Sequence, residues 1–377
     1  MIRLKKEKII VRPRDLRPLS VDFEIIGTTN PGAVRVSNGD IVLYVRVIEK
    51  LKRVKDEGYF YSPRFNGKEK IGIEIDKFPK EGIKTSSEID FVFNNGAKRL
   101  TYFSYLKRIV LDRTGENVKS IEKGISFPPL SWDGELGVED ARIVKIGKLY
   151  VMTYVALGRD TNICTNVAVS NDCKNWNRRG IVFEEQNKDV VIFPELIDGR
   201  YVSFNRPEGS FEFTHPHIWI SYSKNLEDWG RSRPFILARE GRWDSDRIGA
   251  GPPPIRTKQG WLFIYHGVTM KRVGVPLGFF DKLLKRKVDI ESYSAGAVLL
   301  DLKDPGKIIA KSEGPLIVPR LKEEKKNIVR KEVVFPIGLV WDLNGKDLLV
   351  YSGGGDELTT VRKIGVDDIL NSLRRVH

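Results

Sequence analysis

The chain has 377 residues and a formal net charge of +14, from 64 Lys and Arg against 50 Asp and Glu. Its 41% apolar and 10% aromatic residues are an ordinary globular composition and exclude collagen-like and disordered classes. No apolar run approaches the roughly 18 residues of a membrane helix, so no membrane partner is expected. The first residues, Met1-Ile2-Arg3-Leu4-Lys5-Lys6-Glu7, contain no apolar stretch of signal-peptide length. Cys164 and Cys173 could pair, but two cysteines make no disulfide framework, and the expectation is a reduced, cytoplasmic protein. Basic residues alternate with acids, and no zinc spacing or RNA-recognition signature accompanies them, which argues against nucleic acid as a partner. Abundant Lys and Glu with only Gln186 and Gln259 read as a heat-adapted surface. An anionic substrate drawn to a positive mouth accounts for the sign of the charge equally well.

In chain order, residues 1–27 form a lead-in around Pro13 and Pro18 that would supply a strand or clamp to close the fold. Asn30-Pro31-Gly32 opens a hairpin that turns at Gly39 and returns through Ile41–Val47, carrying Arg46. Residues 50–135 are a charged, aromatic-studded insertion in the first repeat. A second hairpin opens with Glu139-Asp140-Ala141-Arg142, turns at Gly147 and ends at Tyr154. A third, around Gly199, is preceded by Asn187-Lys188-Asp189 and followed by Asn205-Arg206-Pro207. The segment Arg247-Ile248-Gly249-Ala250-Gly251-Pro252-Pro253 leads into a fourth hairpin at Gly260, and Phe335-Pro336 into a fifth at Gly345 that ends in Gly353-Gly354-Gly355-Asp356. Apolar runs bounded by glycine turns are hairpin signals. A second echo, Ala168-Val169-Ser170 before Trp176 and Ile220-Ser221-Tyr222-Ser223 before Trp229, marks the same repeat. Repeated four-strand units with aromatic and glycine marks predict an all-β, five-bladed β-propeller forming one domain over 1–377, with a short amphipathic C-terminal helix at 366–377.

No Gly-x-Ser-x-Gly elbow, phosphate-binding P-loop or dinucleotide fingerprint is present. His215 and His217 flank Pro216, but no third ligand has metal-site spacing, and neither metal nor cofactor is expected. What the chain offers is carboxylates with arginines and lysines at strand mouths. Carboxylates suit glycosidic cleavage, where the leaving oxygen needs a proton. Arginines and lysines suit phosphate. Together they point to phosphorolysis of a glycoside, with inorganic phosphate as co-substrate.

The sequence resembles glycoside hydrolase family 130, the β-mannoside phosphorylases, whose fold is a five-bladed propeller. The resemblance rests on Glu139-Asp140-Ala141-Arg142, Phe193-Pro194-Glu195, Arg206-Pro207, Arg247 to Pro253, Tyr265-His266-Gly267, Tyr293 with Gly296-Ala297, Leu300-Asp301, Phe335-Pro336 with Gly338, and Tyr351 to Asp356. It implies that Asp140 is the general acid, acting through a hydroxyl of the mannosyl ring. It implies that Asn30, Arg46, Phe335 and Asp356 hold the transferred sugar. Lys188, Arg206, Arg247 and Tyr293 would line the phosphate site, with His217 or His266 beside it. Lys188 stands where the family often has arginine and Arg247 where it often has lysine, which keeps the charge and changes its geometry. Glu139 is expected to pair with Arg142 or cap the strand entry. The reaction implied is inverting phosphorolysis of a β-mannoside to α-mannose 1-phosphate and a shortened sugar. The alternatives are a hydrolytic β-mannosidase and a carbohydrate-binding propeller without chemistry. Linkage, acceptor sugar and any homo-oligomer stay open.

Overall fold

In the computed structural model, residues 2–67, 72–209, 213–274, 287–325 and 331–376 are described. Residues 68–71 of the predicted insertion, Met1 of the lead-in and His377 of the predicted helix lie outside them. Among the described residues the chain is almost wholly β, and it divides into five antiparallel four-stranded units. The first unit contains Phe23–Arg35, Ile41–Leu51, Tyr102–Leu111 and Val118–Ile121. The second runs through Gly137–Ile146, Leu149–Gly158, Asn162–Ser170 and Asn177–Phe183, and the third through Asn187–Ile192, Tyr201–Pro207, Ile218–Ser223 and Trp229–Ile236. The fourth is Arg247–Ala250, Trp261–Gly274, Lys287–Leu300 and Ile308–Lys311. The fifth combines Glu332–Trp341, Asp347–Gly354 and Leu358–Gly365 with Leu4–Val11 from the lead-in. A short parallel contact, Ser292 with Glu332 and Tyr293 with Val333, joins the fourth and fifth units in one ten-stranded sheet.

The predicted hairpin turns fall where the backbone needs them. Gly39, Gly147, Gly199, Gly260 and Gly345 all have positive φ, between 60° and 155°. That is a region glycine enters without a Cβ penalty. The apolar residues of each unit are buried against the next one. One cluster joins units one and two (Tyr44, Leu106, Val138, Met152), a second joins two and three (Val144, Val151, Ile192, Leu226), and a third joins three and four (Phe193, Phe204, Trp261, Phe263). Two more join four to five (Ile264, Ala297, Val334, Leu348) and five to one (Leu349, Tyr351, Leu43, Ile109). The insertion completes the first unit with Tyr102–Leu111 and Val118–Ile121, and its remainder makes two small separate sheets, Tyr59–Phe65 with Ile73–Pro79 and a three-stranded one over Ile83–Leu100.

One expectation, the extent of the C-terminal helix, needs correction. The C-terminal helix covers only Val366–Ser372, because Arg374 and Arg375 instead extend and pair with Lys311 and Ala310. Cys164 and Cys173 do not pair; both are free and buried. Among the described residues, no helix is long and apolar enough to cross a membrane.

The lead-in strand completes the fifth unit. Its Ile10 and Val11 are buried in the cluster between the fifth and first units, and its Glu7 accepts a hydrogen bond from the buried Arg362 at 2.7 Å. Removing residues 1–11 therefore leaves Leu358–Gly365 as an unpaired edge and uncovers that cluster. The expected result is a fall of several degrees or more in the thermal midpoint followed by circular dichroism. An unchanged midpoint would mean that closure by this strand contributes nothing.

Candidate active site

The first strand of every unit delivers residues to one central cavity of about 310 Å³. Asn30 comes from the first unit, Glu139 and Asp140 from the second, and Lys188 and Asp189 from the third. Arg247 comes from the fourth, and Val333 and Phe335 from the fifth. Second strands add Arg46, Arg206 and His266; Tyr293, Glu208 and Asp356 complete the lining. A larger depression of about 730 Å³ lies on the insertion and shares no residue with this cavity. The central cavity is the candidate site because the expected acid and cations meet in it.

A repeated backbone device aims three of these side chains. Asn30, Asp140 and Asp189 have φ of 49°, 53° and 55°, and each sits where its strand gains one residue on its partner, between Thr29 and Gly32, Glu139 and Arg142, and Lys188 and Val191. Such bulges turn a side chain off the regular alternation and are common beside active sites. Asn and Asp tolerate the left-handed region better than other non-glycine residues, which explains their choice here. Asp356, at φ 59°, reaches the same cavity from the glycine-rich end of the fifth hairpin.

Asp140 is only 13% exposed. Its Oδ1 accepts a hydrogen bond from Asn30 Nδ2 at 2.8 Å and faces Arg46 Nη1 at 3.9 Å. Thr29 Oγ1 in turn donates to Asn30 Oδ1 at 3.0 Å, which fixes the amide orientation. Glu139 does not pair with Arg142, as expected from sequence; it forms a close ion pair with Arg46 and accepts from Ser104 Oγ at 3.3 Å. Burial opposes the charge on Arg46, but Glu139 and Asp140 outweigh it and hold the guanidinium above its ordinary range. Burial pushes the Asp356 carboxyl up against the pull of Arg46 and Lys331, with Asp140 and Glu291 adding to the rise.

The opposite group is built on Asp189. Arg142 Nη2 donates to its Oδ1 at 2.8 Å, Arg206 Nη1 contacts its Oδ2, and His266 Nε2 lies 3.5 Å from the same oxygen. Burial alone would raise this carboxyl, yet Arg206 and Arg142 hold it far below the usual carboxylate range. Arg206 Nη1 also lies 3.2 Å from His266 Nε2, and Nη2 is 2.5 Å from Glu208 Oε1. Lys188 is the direct cross-strand neighbour of Arg206. Arg247 donates to the Tyr293 hydroxyl and, at 3.2 Å, to Glu291. Gly249 makes this crowding feasible, since a Cβ there would lie 2.1 Å from Asp189 Oδ2 and 2.6 Å from Arg206 Nη1.

Of the residues expected from sequence, His217 alone does not line the cavity. Its ring lies near Trp219, with Nδ1 2.9 Å from the His215 carbonyl. The cations expected to converge on an empty anion site carry carboxylates of their own: Asp189 and Glu208 at Arg206, Glu291 at Arg247. Nor is Asp140 the one acid present, since Glu139, Asp189, Glu208 and Asp356 line the cavity with it. Asp189 and Glu208 went unassigned in the sequence, although signals for both exist. Asp189 occupies the place in its repeat that Asp140 occupies in the preceding one, and Glu208 is two residues beyond Arg206, just past the end of its strand, a spacing at which side chains of an extended chain share a face.

Burial, with Arg206 and Arg142, pushes His266 down to about 3 against the pull of Asp189. The unfolded chain takes up a proton at this residue near 6.5, whereas the folded protein refuses it until about 3. His266 therefore contributes stability above about 6.5 that is lost as pH falls through that window. The depressed Asp189 acts in the same direction. Urea midpoints of the parent should fall from pH 7 to pH 4, and His266→Gln should make that slope shallower. An equal slope in the two proteins would show that His266 takes up its proton freely when folded.

The family model described as beta-1,4-mannooligosaccharide phosphorylase matches residues 103–375. A beta-1,2-mannobiose phosphorylase of Listeria innocua is 31% identical over 373 residues, covering 98% of this chain and 97% of that protein. A 1,2-beta-oligomannan phosphorylase of Thermoanaerobacter sp. is 35% identical over 277 residues, 71% of this chain and 82% of the relative. The solved Listeria innocua beta-1,2-mannobiose phosphorylase, in complex with beta-1,2-mannobiose, superposes with a TM-score of 0.82 at 28% identity over 96% of each chain. With the cavity built on the motif residues that suggested it, and with matches of this length, the chain belongs to glycoside hydrolase family 130.

Proposed function

We propose that this protein is an inverting β-mannoside phosphorylase, transferring a mannosyl unit to inorganic phosphate to give α-mannose 1-phosphate and a shortened sugar. The observation that carries the reading is the meeting of two groups in one cavity: Asp140, oriented by Asn30, and a cationic set of Lys188, Arg206 and Arg247. In this reading the five units form a five-bladed propeller within a single domain, which the cyclic order of their apolar clusters supports.

Asn30, Arg46, Phe335 and Asp356 hold the sugar. Asp140 supplies the proton for the leaving oxygen, relayed by a ring hydroxyl. Lys188, Arg206, Arg247, Tyr293 and His266 bind phosphate, which attacks from the face opposite the leaving group and so inverts the anomeric centre. His266, neutral because burial disfavours its charge, offers an imidazole rather than a further cation. The named activities of the two relatives make β-1,2-mannobiose the first substrate to test, and the description of the family model makes a β-1,4-linked mannooligosaccharide the second.

A second reading, hydrolysis, is favoured by one observation: Glu208 puts a carboxylate beside Arg206, where a base for water would stand. The two readings separate in a single experiment. Under phosphorolysis, sugar release from β-1,2-mannobiose depends on added phosphate and yields mannose 1-phosphate. Equal release without phosphate, with free mannose as the product, selects hydrolysis.

Asp140→Asn keeps the volume and the Asn30 contact but removes the acid. Turnover should fall by about 10²–10⁴-fold, with circular dichroism and mannoside binding unchanged. A variant turning over at the parent rate would make Asp140 a structural residue.

A further inference from the structure

Among the described residues lining the cavity, Arg46, Lys188, Arg206 and Arg247 are matched by five carboxylates, Glu139, Asp140, Asp189, Glu208 and Asp356. Four of these have a role without invoking phosphate. Glu139 is paired with Arg46, Asp140 is the acid, Asp189 is the buried partner of two arginines, and Asp356 faces the sugar side with Arg46. Glu208 does not fit that account. Arg206 already has Asp189, which is only 3% exposed, as its counter-ion, whereas the Glu208 side chain is 20% exposed. Its Oε1 meets Arg206 Nη2 at 2.5 Å, and its charge also acts on Arg247, so it stands between the two arginines of the cationic set. Its backbone is also fixed, since its N–H donates to the Gln186 carbonyl at 2.7 Å. A second carboxylate at the centre of an anion site repels any anion that brings only acceptor oxygens.

Phosphate is not such an anion. Across the pH range in which proteins fold it keeps at least one P–OH, a donor, whereas sulfate has the same tetrahedral shape and none. An ionised carboxylate only accepts hydrogen bonds, so it pairs with a P–OH and opposes an S–O. We propose that Glu208 is a specificity-determining residue that accepts the hydrogen bond of the phosphate P–OH and thereby excludes sulfate and other fully deprotonated oxyanions. This inference rests on the phosphorylase reading. The proton is a spectator: an unprotonated oxygen of HPO₄²⁻ forms the new bond to the anomeric carbon as the glycosidic bond breaks. The leaving oxygen takes the proton supplied by Asp140, and the P–OH that faces Glu208 remains on the product phosphate.

The test measures inhibition by sulfate against phosphate as the varied substrate, in the parent and in Glu208→Gln. The glutamine amide keeps the size and can donate to a sulfate oxygen. Losing a charge-assisted bond to phosphate and gaining a donor for sulfate should lower the ratio of the sulfate inhibition constant to the phosphate KM by at least about tenfold. Glu208→Asp, which keeps the carboxylate, should retain the parent's preference, and circular dichroism of both variants checks folding. A ratio unchanged in Glu208→Gln, or phosphate and sulfate weakened together, would overturn the inference and leave Glu208 as a support for Arg206. A parent that releases sugar without phosphate would instead remove the reading beneath it, and that outcome appears before either variant is made.

Discussion

Asp189 is the point on which the geometry of the site depends. It is a buried carboxylate whose two oxygens are held by arginines from different units, Arg142 of the second and Arg206 of the third, with His266 of the fourth alongside. Arg142 also donates to the carbonyls of Gly251 and Ala250, at 3.0 Å and 3.1 Å. One ion cluster therefore fixes the relative position of three sheets at the point where they meet. Breaking such a buried pair costs about 3–5 kcal/mol, because the remaining charge is left without a partner. In return Arg206 is aimed before any ligand arrives, and a preorganised charge needs no rearrangement when the reaction begins.

Around that cluster the other arginines of the cavity have carboxylate partners too. Arg46 answers Glu139 and faces Asp140; Arg206 answers Asp189; Arg247 answers Glu291 and touches Tyr293. Arg46, Arg206 and Arg247 thus each draw on a carboxylate of their own. Phe335 packs between these groups, its ring centroid 4.4 Å from that of His266 and 5.9 Å from the Arg142 guanidinium. An apolar ring there keeps water from the imidazole and lowers the local dielectric, which strengthens every charge contact nearby.

Much of this was legible in the sequence for a local reason. A positive φ at a tight turn selects glycine, so Gly39, Gly147, Gly199, Gly260 and Gly345 marked five hairpins in advance. Asp140, Lys188, Arg206 and Arg247 were visible as charged residues near strand ends, and the resemblance to the family supplied their expected roles. What could not be read was who pairs with whom. Glu139 meets Arg46 across 93 residues of chain, while Arg142, three positions from Glu139, turns toward Asp189 instead. His217 was named beside phosphate by the resemblance alone, and it lies outside the cavity, in a segment where the Pro216 carbonyl accepts from the backbone of Ile248. The C-terminal helix ended early for a similar reason: a free strand edge at Ala310 and Lys311 was a better partner for Arg374 and Arg375 than another helical turn.

The pairing of the lead-in strand also has a kinetic consequence. Glu7 and Arg362, which bond across it, are 355 positions apart. During synthesis from the N-terminus, the strand Leu4–Val11 is made long before its partner Leu358–Gly365 emerges. Sheets one to three can form from neighbouring sequence, apart from the long excursion to Tyr102–Leu111, whereas the fifth must wait for a chain-spanning encounter. Non-local pairing of this kind delays folding, because the entropy of loop closure is lost before the contacts form. Until then the cluster of Leu349, Tyr351, Ile10 and Val11 remains incomplete. The same contact that seals the finished molecule is thus the one most exposed to misassembly with a second nascent chain.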